Sequence, residues 1–218
     1  LDGYYAQTSA DAERALALGA RSSAIEVCGN SKFDGAMIDD PPAAVMALSL
    51  GFPVDVPTLV AGSTHPVEDE AVLDAFLIIR AAVPDARLII APRHLERTPA
   101  LRVALNGRGL QAVFRSERSG AAAVPPGDEN GRGEAPSSTM TEAPVLVLDT
   151  LGELRQTYSL ATVAFVGGTL VPVGGHDLLQ PLAKGKPVLF GPHTHKCREI
   201  AEAILREDAG HRVANTDE

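Results

Sequence analysis

Residues 167–181 read GGTLVPVGGHDLLQP, and this stretch is the most informative part of the sequence. It follows an apolar, strand-like segment, residues 161–166, and leads into a short helix that Gly185 ends. Glycines at a strand-to-helix junction let the backbone approach a ligand closely, because they carry no Cβ. The helix N-terminus then offers N–H groups and a positive dipole end to an anion. The pattern predicts a site for a phosphate and a sugar.

Three polar residues follow the glycines of this stretch: His176, Asp177 and Gln180. Because His176 and Gln180 are four positions apart, we expect them to share one helix face. With Asp177, they would meet the ribose and the phosphates of a nucleotide. A structural role for His176 at the helix start is an equal alternative.

Strand-like and helix-like segments alternate along the whole chain. The predicted strands are residues 24–28, 58–61, 88–91, 112–115, 145–148, 163–166 and 188–190. The predicted helices include residues 9–18 with Ser9 as N-cap, 42–50, 68–82 and 100–106. Continuous apolar strands separated by amphipathic helices indicate a parallel sheet that is covered on both faces. The predicted fold class is therefore α/β, with a Rossmann-like parallel sheet and helices on both faces.

Polar runs directly follow the predicted strands. They are residues 29–30, 62–65, 92–94, 149–150 and 167–168. In an open parallel sheet, ligands bind at the carboxyl ends of the strands. We therefore expect these loops to converge on one edge of the sheet.

Composition excludes some classes of function. The chain has 218 residues and a net charge of −9, with basic residues scattered rather than clustered. Nucleic-acid binding is not expected, because phosphate neutralisation needs a basic stripe. No apolar run is long enough for a transmembrane helix, and no signal peptide is visible.

The two cysteines, Cys28 and Cys197, lie far apart in the sequence. Two buried free thiols are favoured over a disulfide, which agrees with a reducing cytoplasm. With two cysteines and dispersed histidines, no structural metal site is expected.

Residues 118–143 differ from the rest of the chain. Ser, Gly, Ala, Pro and Glu dominate there, and no periodicity is present. Because apolar residues are too few to offset the entropy of ordering, we expect a disordered insertion between two strands.

Several sequence blocks, in order, resemble the motifs of the 3-deoxy-D-manno-octulosonic acid (Kdo) transferases, which move Kdo from CMP-Kdo to lipid A precursors. The blocks are GNSKFD at 29–34, AGSTH at 61–65 followed by Glu68 and Glu70, PRHLER at 92–97, DTLGEL at 149–154, the glycine-rich stretch and GPH at 191–193. The resemblance covers almost the whole chain. Several motifs in the same order identify a family more specifically than any single motif does. The family pattern ends the glycine-rich stretch with Gly-Gly-His-Asn-x-x-Glu-Pro. Here Asp177 replaces the Asn and Gln180 the Glu, so donor affinity is the property that the two departures would change.

The resemblance implies that residues 1–218 form the CMP-Kdo binding domain of a GT-B glycosyltransferase, its C-terminal domain. Both ends of the chain look cut from something longer. An N-terminal half would then carry the membrane anchor, the acceptor site and the catalytic base. The whole protein would work at the cytoplasmic face of the inner membrane.

The resemblance also implies roles for individual residues. The nucleotide site would comprise Arg93, His94, Gly152, Glu153, Leu154, Asp177, Leu178, Leu179 and Gln180. The donor-sugar candidates are Ser63, Thr64, His65, Gly175 and His176. Lys32 would stabilise charge in the transition state. The alternatives are a surface role for Arg93, a solvated loop lysine at Lys32, and a capping box between Glu153 and Thr150.

The implied reaction is an inverting transfer, independent of metal and cofactor, in which a lipid A sugar hydroxyl displaces CMP from the anomeric carbon. This chain would contribute positioning and stabilisation of the CMP leaving group. Two alternatives remain: a GT-B enzyme that uses a UDP-sugar, and a degenerate nucleotide-binding module without catalysis.

Overall fold

A computed structural model describes residues 2–30, 40–118 and 143–218. Lys32 and nearly all of the predicted insertion therefore lie outside the described residues. The chain divides into two compact units, residues 1–39 and residues 40–218.

In its described residues, the first unit contains two parallel strands and one α-helix. Its elements are β1 (Tyr4–Ala6), α1 (Ser9–Ala17) and β2 (Ile25–Val27). Thr8 caps α1, because its Oγ1 accepts a hydrogen bond from the Asp11 N–H at 3.1 Å, so the prediction of Ser9 as N-cap is wrong. The strand predicted at 24–28 is present as β2. It pairs with β1 in a two-stranded sheet, and the prediction that it belongs to the main sheet is wrong.

The second unit contains a seven-stranded sheet and six helices in the described residues. The strands are β3 (Thr58–Thr64), β4 (Arg87–Pro92), β5 (Ala112–Phe114), β6 (Val145–Val147), β7 (Val163–Val166), β8 (Val188–Phe190) and β9 (Gly210–Arg212). The helices are α2 (Ala43–Leu50), α3 (Pro66–Ala82), α4 (Thr98–Gly107), α5 (Leu154–Thr157), α6 (Leu179–Leu182) and α7 (Arg198–Arg206).

The sheet is parallel throughout, with the strand order β5-β6-β4-β3-β7-β8-β9. Leu88, Ile89 and Ile90 of β4 are all fully buried, so both faces of this strand are covered. This confirms the predicted α/β class, because all-parallel sheets with both faces covered are typical of α/β proteins, in which helices pack on the two faces. On one face, α3 and α4 pack on the strands through Leu73, Phe76, Leu101 and Leu105.

Local chemistry sets the ends of the helices. Pro42 precedes the first residue of α2, and Gly51 ends that helix with a left-handed backbone, φ 57°, as the sequence predicts. Pro66 stands in the first turn of α3, where a missing N–H costs no hydrogen bond. The helix therefore begins at Pro66 rather than at Glu68.

Both cysteines are free thiols, as predicted. Cys197 is buried, but Cys28 is exposed, so burial is confirmed for one of them only. Among the helices of the described residues, none has the length and apolar character needed to cross a membrane.

Candidate functional site

The candidate site lies at the carboxyl ends of β3 and β7. These two strands are neighbours, but β3 leads through α3 to β4 on one side, whereas β7 leads to β8 on the other. The chain therefore reverses direction across the sheet between them. In open parallel sheets, such a switch point leaves a crevice in which ligands bind.

A buried carboxylate fills the glycine-rich loop after β7. Glu68 Oε2 accepts a hydrogen bond from the Gly168 N–H at 2.7 Å, and Oε1 accepts from the Thr169 and Leu170 N–H groups, both at 2.9 Å. Glu68 is fully buried, and its Oε2 also accepts from the His65 N–H at 3.0 Å. These loop amides therefore bind an anion of the protein itself, and a ligand phosphate must find other donors.

The helix after the glycines is shorter than the sequence indicates. Because α6 has four residues and begins at Leu179, His176 precedes it, and the prediction that His176 and Gln180 share a helix face is wrong. Asp177 Oδ1 accepts from the Leu179 N–H at 3.1 Å, and Gln180 Nε2 donates to Asp177 Oδ2 at 3.4 Å. Leu178 and Leu179 are buried, so their side chains belong to the core.

Two histidines from distant parts of the sequence form a hydrogen-bonded pair. His65 Nε2 and His176 Nε2 are 3.0 Å apart, and the ring planes are within 6° of parallel. The ring centroids are 5.3 Å apart, so the rings meet edge to edge through their nitrogens rather than face to face. His94 completes the cluster, with its ring centroid 5.8 Å from that of His65 and its plane inclined at 76°.

The histidine pair is neutral at physiological pH. Burial, together with the neighbouring His65, Arg93 and Lys196, lowers the pKa of His176 to about 4 against the opposing effect of Glu68. Burial also lowers the pKa of His65. When both rings are neutral, the protonated Nε2 of one ring donates a hydrogen bond to the unprotonated Nε2 of the other. The positive charge beside the pair then comes from Arg93 and Lys196.

The last two residues of β3 are the predicted donor-sugar residues Ser63 and Thr64. The register against β4 shifts between Gly62 and Thr64, which marks a β-bulge. Ser63 has a left-handed backbone, φ 57°, which is costly for a residue with a side chain and is common where backbone is shaped for a ligand. Thr64 is fully buried, and its carbonyl accepts from the Arg93 N–H at 2.9 Å. This hydrogen bond joins the end of β3 to the segment that follows β4.

Arg93 and His94 lie on the exposed side of this junction. The Arg93 charge reaches His176, as its effect on the pKa of that ring shows. His94 Nδ1 lies 3.6 Å from Glu96 Oε1. A guanidinium in this position can bind two phosphate oxygens at once.

Internal contacts hold the predicted residue Glu153 after β6. Arg115, itself buried, donates to the Glu153 carboxylate through Nη2 at 2.8 Å, and the Thr150 hydroxyl donates to the other carboxylate oxygen. Burial alone would raise the pKa of Glu153, but these hydrogen bonds outweigh it and lower the pKa. The contact with Thr150 agrees with the capping alternative. Gly152 stays exposed with φ 93°, so its backbone is accessible to a ligand.

Contacts with β3 and Asp177 bring the segment after β6 toward the site. A Cβ added at Gly62 would lie 3.0 Å from Leu154 Cδ1 and 2.0 Å from the Tyr158 hydroxyl. Tyr158 is buried, and burial together with the charge of Asp177 raises its pKa. Gly175, with φ 92°, packs against Cys197.

Sequence reasoning assigned no role to three structural residues of the site: Glu68, which it named only as part of a family motif, Arg115 and Tyr158. Glu68 stands three positions after His65, which is the spacing of a capping box, but nothing in that spacing indicates the bonds to a loop 100 residues away. Arg115 and Tyr158 gave no sequence signal. Within residues 2–30, 40–118 and 143–218, no group of three or more His, Cys, Asp or Glu side chains could hold a metal ion.

Known proteins share sequence with this chain over nearly its whole length. No family profile matches the chain. It is 36% identical over 219 residues to a bifunctional glycosyltransferase/methyltransferase of Fusobacterium nucleatum, covering 99% of the chain and 31% of that protein. It is 31% identical over 212 residues to the 3-deoxy-D-manno-octulosonic acid transferase of Aquifex aeolicus, covering 97% of the chain and 50% of that enzyme. The chain thus spans half or less of the length of these two relatives.

A solved structure matches the fold over most of both chains. The C-terminal CMP-Kdo binding domain of WaaA from Acinetobacter baumannii superposes with a TM-score of 0.63 at 25% sequence identity. The match covers 80% of this chain and 81% of that domain.

Proposed function

We propose that this chain is the donor-binding half of a Kdo transferase, with CMP-Kdo as donor, because it is similar to such enzymes over up to half of their length and to a CMP-Kdo binding domain in fold. One observation carries the proposal. Residues from loops after β3, β4 and β7, all within motifs of the family, meet at the switch point of the sheet. A crevice with neutral imidazoles and flanking cations suits a phosphodiester beside a carboxylated sugar.

The phosphate of the donor would be held by side chains. The amides of the glycine-rich loop are bonded to Glu68, so Arg93 is the group that can grip the phosphate bidentately. In the neutral His65–His176 pair, the N–H between the two rings is used within the pair, so the pair leaves the Nδ1–H of the accepting ring as its one free donor and adds no charge. Lys196, exposed nearby, contributes a second positive charge.

The nucleoside would lie between the loops after β6 and β7. The exposed carboxylate of Asp177 can accept hydrogen bonds from ribose hydroxyls, which are donors. The open backbone at Gly152 can contact the base. Leu178 and Leu179 would support the site from the core.

These residues would accelerate transfer by positioning and charge stabilisation. As the bond from the anomeric carbon to the phosphate oxygen breaks, negative charge grows on the departing CMP. A preorganised cation at that oxygen is worth more there than in the ground state. The proton of the attacking hydroxyl would pass to a base outside this chain.

The acceptor and the cellular site belong to the same proposal. The acceptor would be a lipid A precursor, held by the N-terminal half of the full-length enzyme, at the cytoplasmic face of the inner membrane. Transfer to it would place the protein in lipopolysaccharide biosynthesis. The isolated chain would bind the donor and would need the other half for turnover.

Calorimetric titration of the chain with CMP, UMP, UDP and GDP tests the proposal. We expect CMP to bind with the highest affinity. Glu202→Gln, a charge change on the exposed side of α7, serves as a control and should bind CMP like the wild type. Stronger binding of UDP than of CMP would favour the UDP-sugar alternative, and no binding of any nucleotide would favour the module without catalysis.

A further inference from the structure

Glu68 joins the start of α3 to the glycine-rich loop. Its Oε2 is shared between the His65 N–H at 3.0 Å and the Gly168 N–H at 2.7 Å. Its Oε1 accepts from the two following loop residues, both at 2.9 Å. A fully buried carboxylate thus receives four backbone hydrogen bonds, which is the environment that elsewhere stabilises a bound phosphate.

The carbonyl side of the same loop supports His176. Gly168 O accepts from the Gly174 N–H at 3.1 Å and from the Gly175 N–H at 2.7 Å, and Gly167 O accepts from the His176 N–H at 3.2 Å. A Cβ at Gly168 would lie 2.8 Å from His176 Cδ2, so the imidazole packs directly on the loop. The position of this ring therefore follows the position of the loop.

We propose that Glu68 is a positioning residue, which holds His65 and His176 at hydrogen-bonding distance by clamping the backbone of both. It bonds directly to the N–H of His65, and it fixes the loop on which His176 rests. The carboxylate takes the place of an anionic ligand in the loop. The geometry of the imidazole pair is thereby set before any donor arrives.

A role confined to capping α3 would need only the bond to His65. The three further bonds reach residues that are 100 to 102 positions away. They contribute nothing to the start of α3, and they fix the backbone of the glycine-rich loop. The capping role and the clamping role of Glu68 can be distinguished experimentally. If Glu68 is a clamp, acetate added to a variant without this carboxylate should restore the geometry of the histidine pair.

Glu68→Ala should leave a space lined by four N–H donors, which acetate can enter. In the wild type, the ¹⁵N spectrum of the imidazoles should show one protonated and one unprotonated Nε2 across the pair. We expect Glu68→Ala to lose this signature and acetate to restore it, whereas sodium chloride at equal ionic strength should not. Glu70→Ala, which removes an exposed carboxylate from the same helix, should keep the signature throughout.

Glu68→Gln supplies a second variant of unchanged volume. Its amide group brings N–H donors toward backbone N–H donors, so the pair should be disturbed, and acetate should not help because the space is filled. If Glu68→Ala is unfolded in plain buffer, refolding that acetate promotes would support the clamp. The proposal is overturned if either folded variant keeps the wild-type imidazole spectrum, or if acetate restores neither folding nor the spectrum of Glu68→Ala.

The consequence for ligand binding rests on the proposed function. CMP should bind Glu68→Ala about tenfold to a hundredfold more weakly, the loss expected when one charge-assisted contact is misplaced, and acetate should recover most of that affinity. Failure of the wild type to bind CMP would reject the proposed function. It would leave the spectroscopic test of the clamp unaffected, because that test contains no nucleotide.

Discussion

Replacing His176 should flatten the dependence of stability on pH below neutrality. Burial lowers the pKa of this imidazole from 6.5 to about 4 in the folded chain. Between these two values the unfolded chain binds a proton at His176 that the folded chain does not bind. The free energy of unfolding therefore decreases as the pH falls from 6.5 toward 4, and it is unaffected by this group above that window.

The magnitude follows from the two pKa values. At pH 5, a pKa of about 4 in the folded state against 6.5 in the unfolded state lowers the free energy of unfolding by about 2 kcal/mol relative to pH 7.5. Because the imidazole of His176 is only partly buried, solvent screening reduces this to between about 1 and 2 kcal/mol.

Urea unfolding at pH 7.5 and pH 5 measures the effect. The chain has no tryptophan, so far-ultraviolet circular dichroism is the suitable probe. We expect the loss of stability between the two pH values to be about 1–2 kcal/mol smaller in His176→Gln than in the wild type. His211→Gln, which removes an exposed histidine from β9, is the control and should behave like the wild type. Equal losses in the wild type and in His176→Gln would refute the neutral histidine pair.

Three further changes test other parts of the site. Arg93→Ala should weaken CMP binding in calorimetry by about 1.5–3 kcal/mol. Arg93→Lys should recover only part of this loss, because the point charge of a lysine cannot replace the two parallel hydrogen bonds of a guanidinium. Unchanged affinity in a folded Arg93→Ala protein would remove Arg93 from the site. Gly62→Ala should lower the free energy of unfolding by about 1–3 kcal/mol, because its Cβ would lie 2.0 Å from a buried tyrosine hydroxyl, whereas Gly107→Ala, in open space, should cost nothing. Asp177→Asn and Gln180→Glu should each weaken CMP binding alone and compensate when combined; simple additivity in titrations of all four proteins would contradict a coupled pair.

Four of the strands that sequence reasoning located have the simplest physical signature. β3, β4, β6 and β7 are buried on both faces, so they appear as continuous apolar runs. β9 was missed because it has no such run: it reads Gly-His-Arg, and two of its three residues are exposed. The pairing of β2 with β1 was missed because an apolar run shows that a strand exists and does not show its neighbour.

The residues of the site were easier to find than their contacts. His65 and His176 were both candidates, but they are 111 positions apart, and only the fold brings their nitrogens together. The helix after the glycines was placed too early. Gly174 and Gly175 adopt φ of 105° and 92°, which lie outside the α-helical range. The His176 side chain forms a hydrogen bond with His65. The helix α6 begins after these residues, at Leu179.

The two departures from the family pattern also acquire a physical explanation. In the pattern Asn-x-x-Glu, an amide can donate to a carboxylate three positions on. In this chain the carboxylate stands first, at Asp177, and the Gln180 amide donates back to it at 3.4 Å. The exchange preserves one hydrogen bond and one negative charge, and Asp177 Oδ1 still accepts from the Leu179 N–H at 3.1 Å. Gln180→Glu alone would set two carboxylates side by side without a donor between them, and Asp177→Asn alone would remove the negative charge while leaving an amide pair. The pair is therefore better explained as a compensated exchange than as decay of the site, and this argues for a chain that still binds its donor.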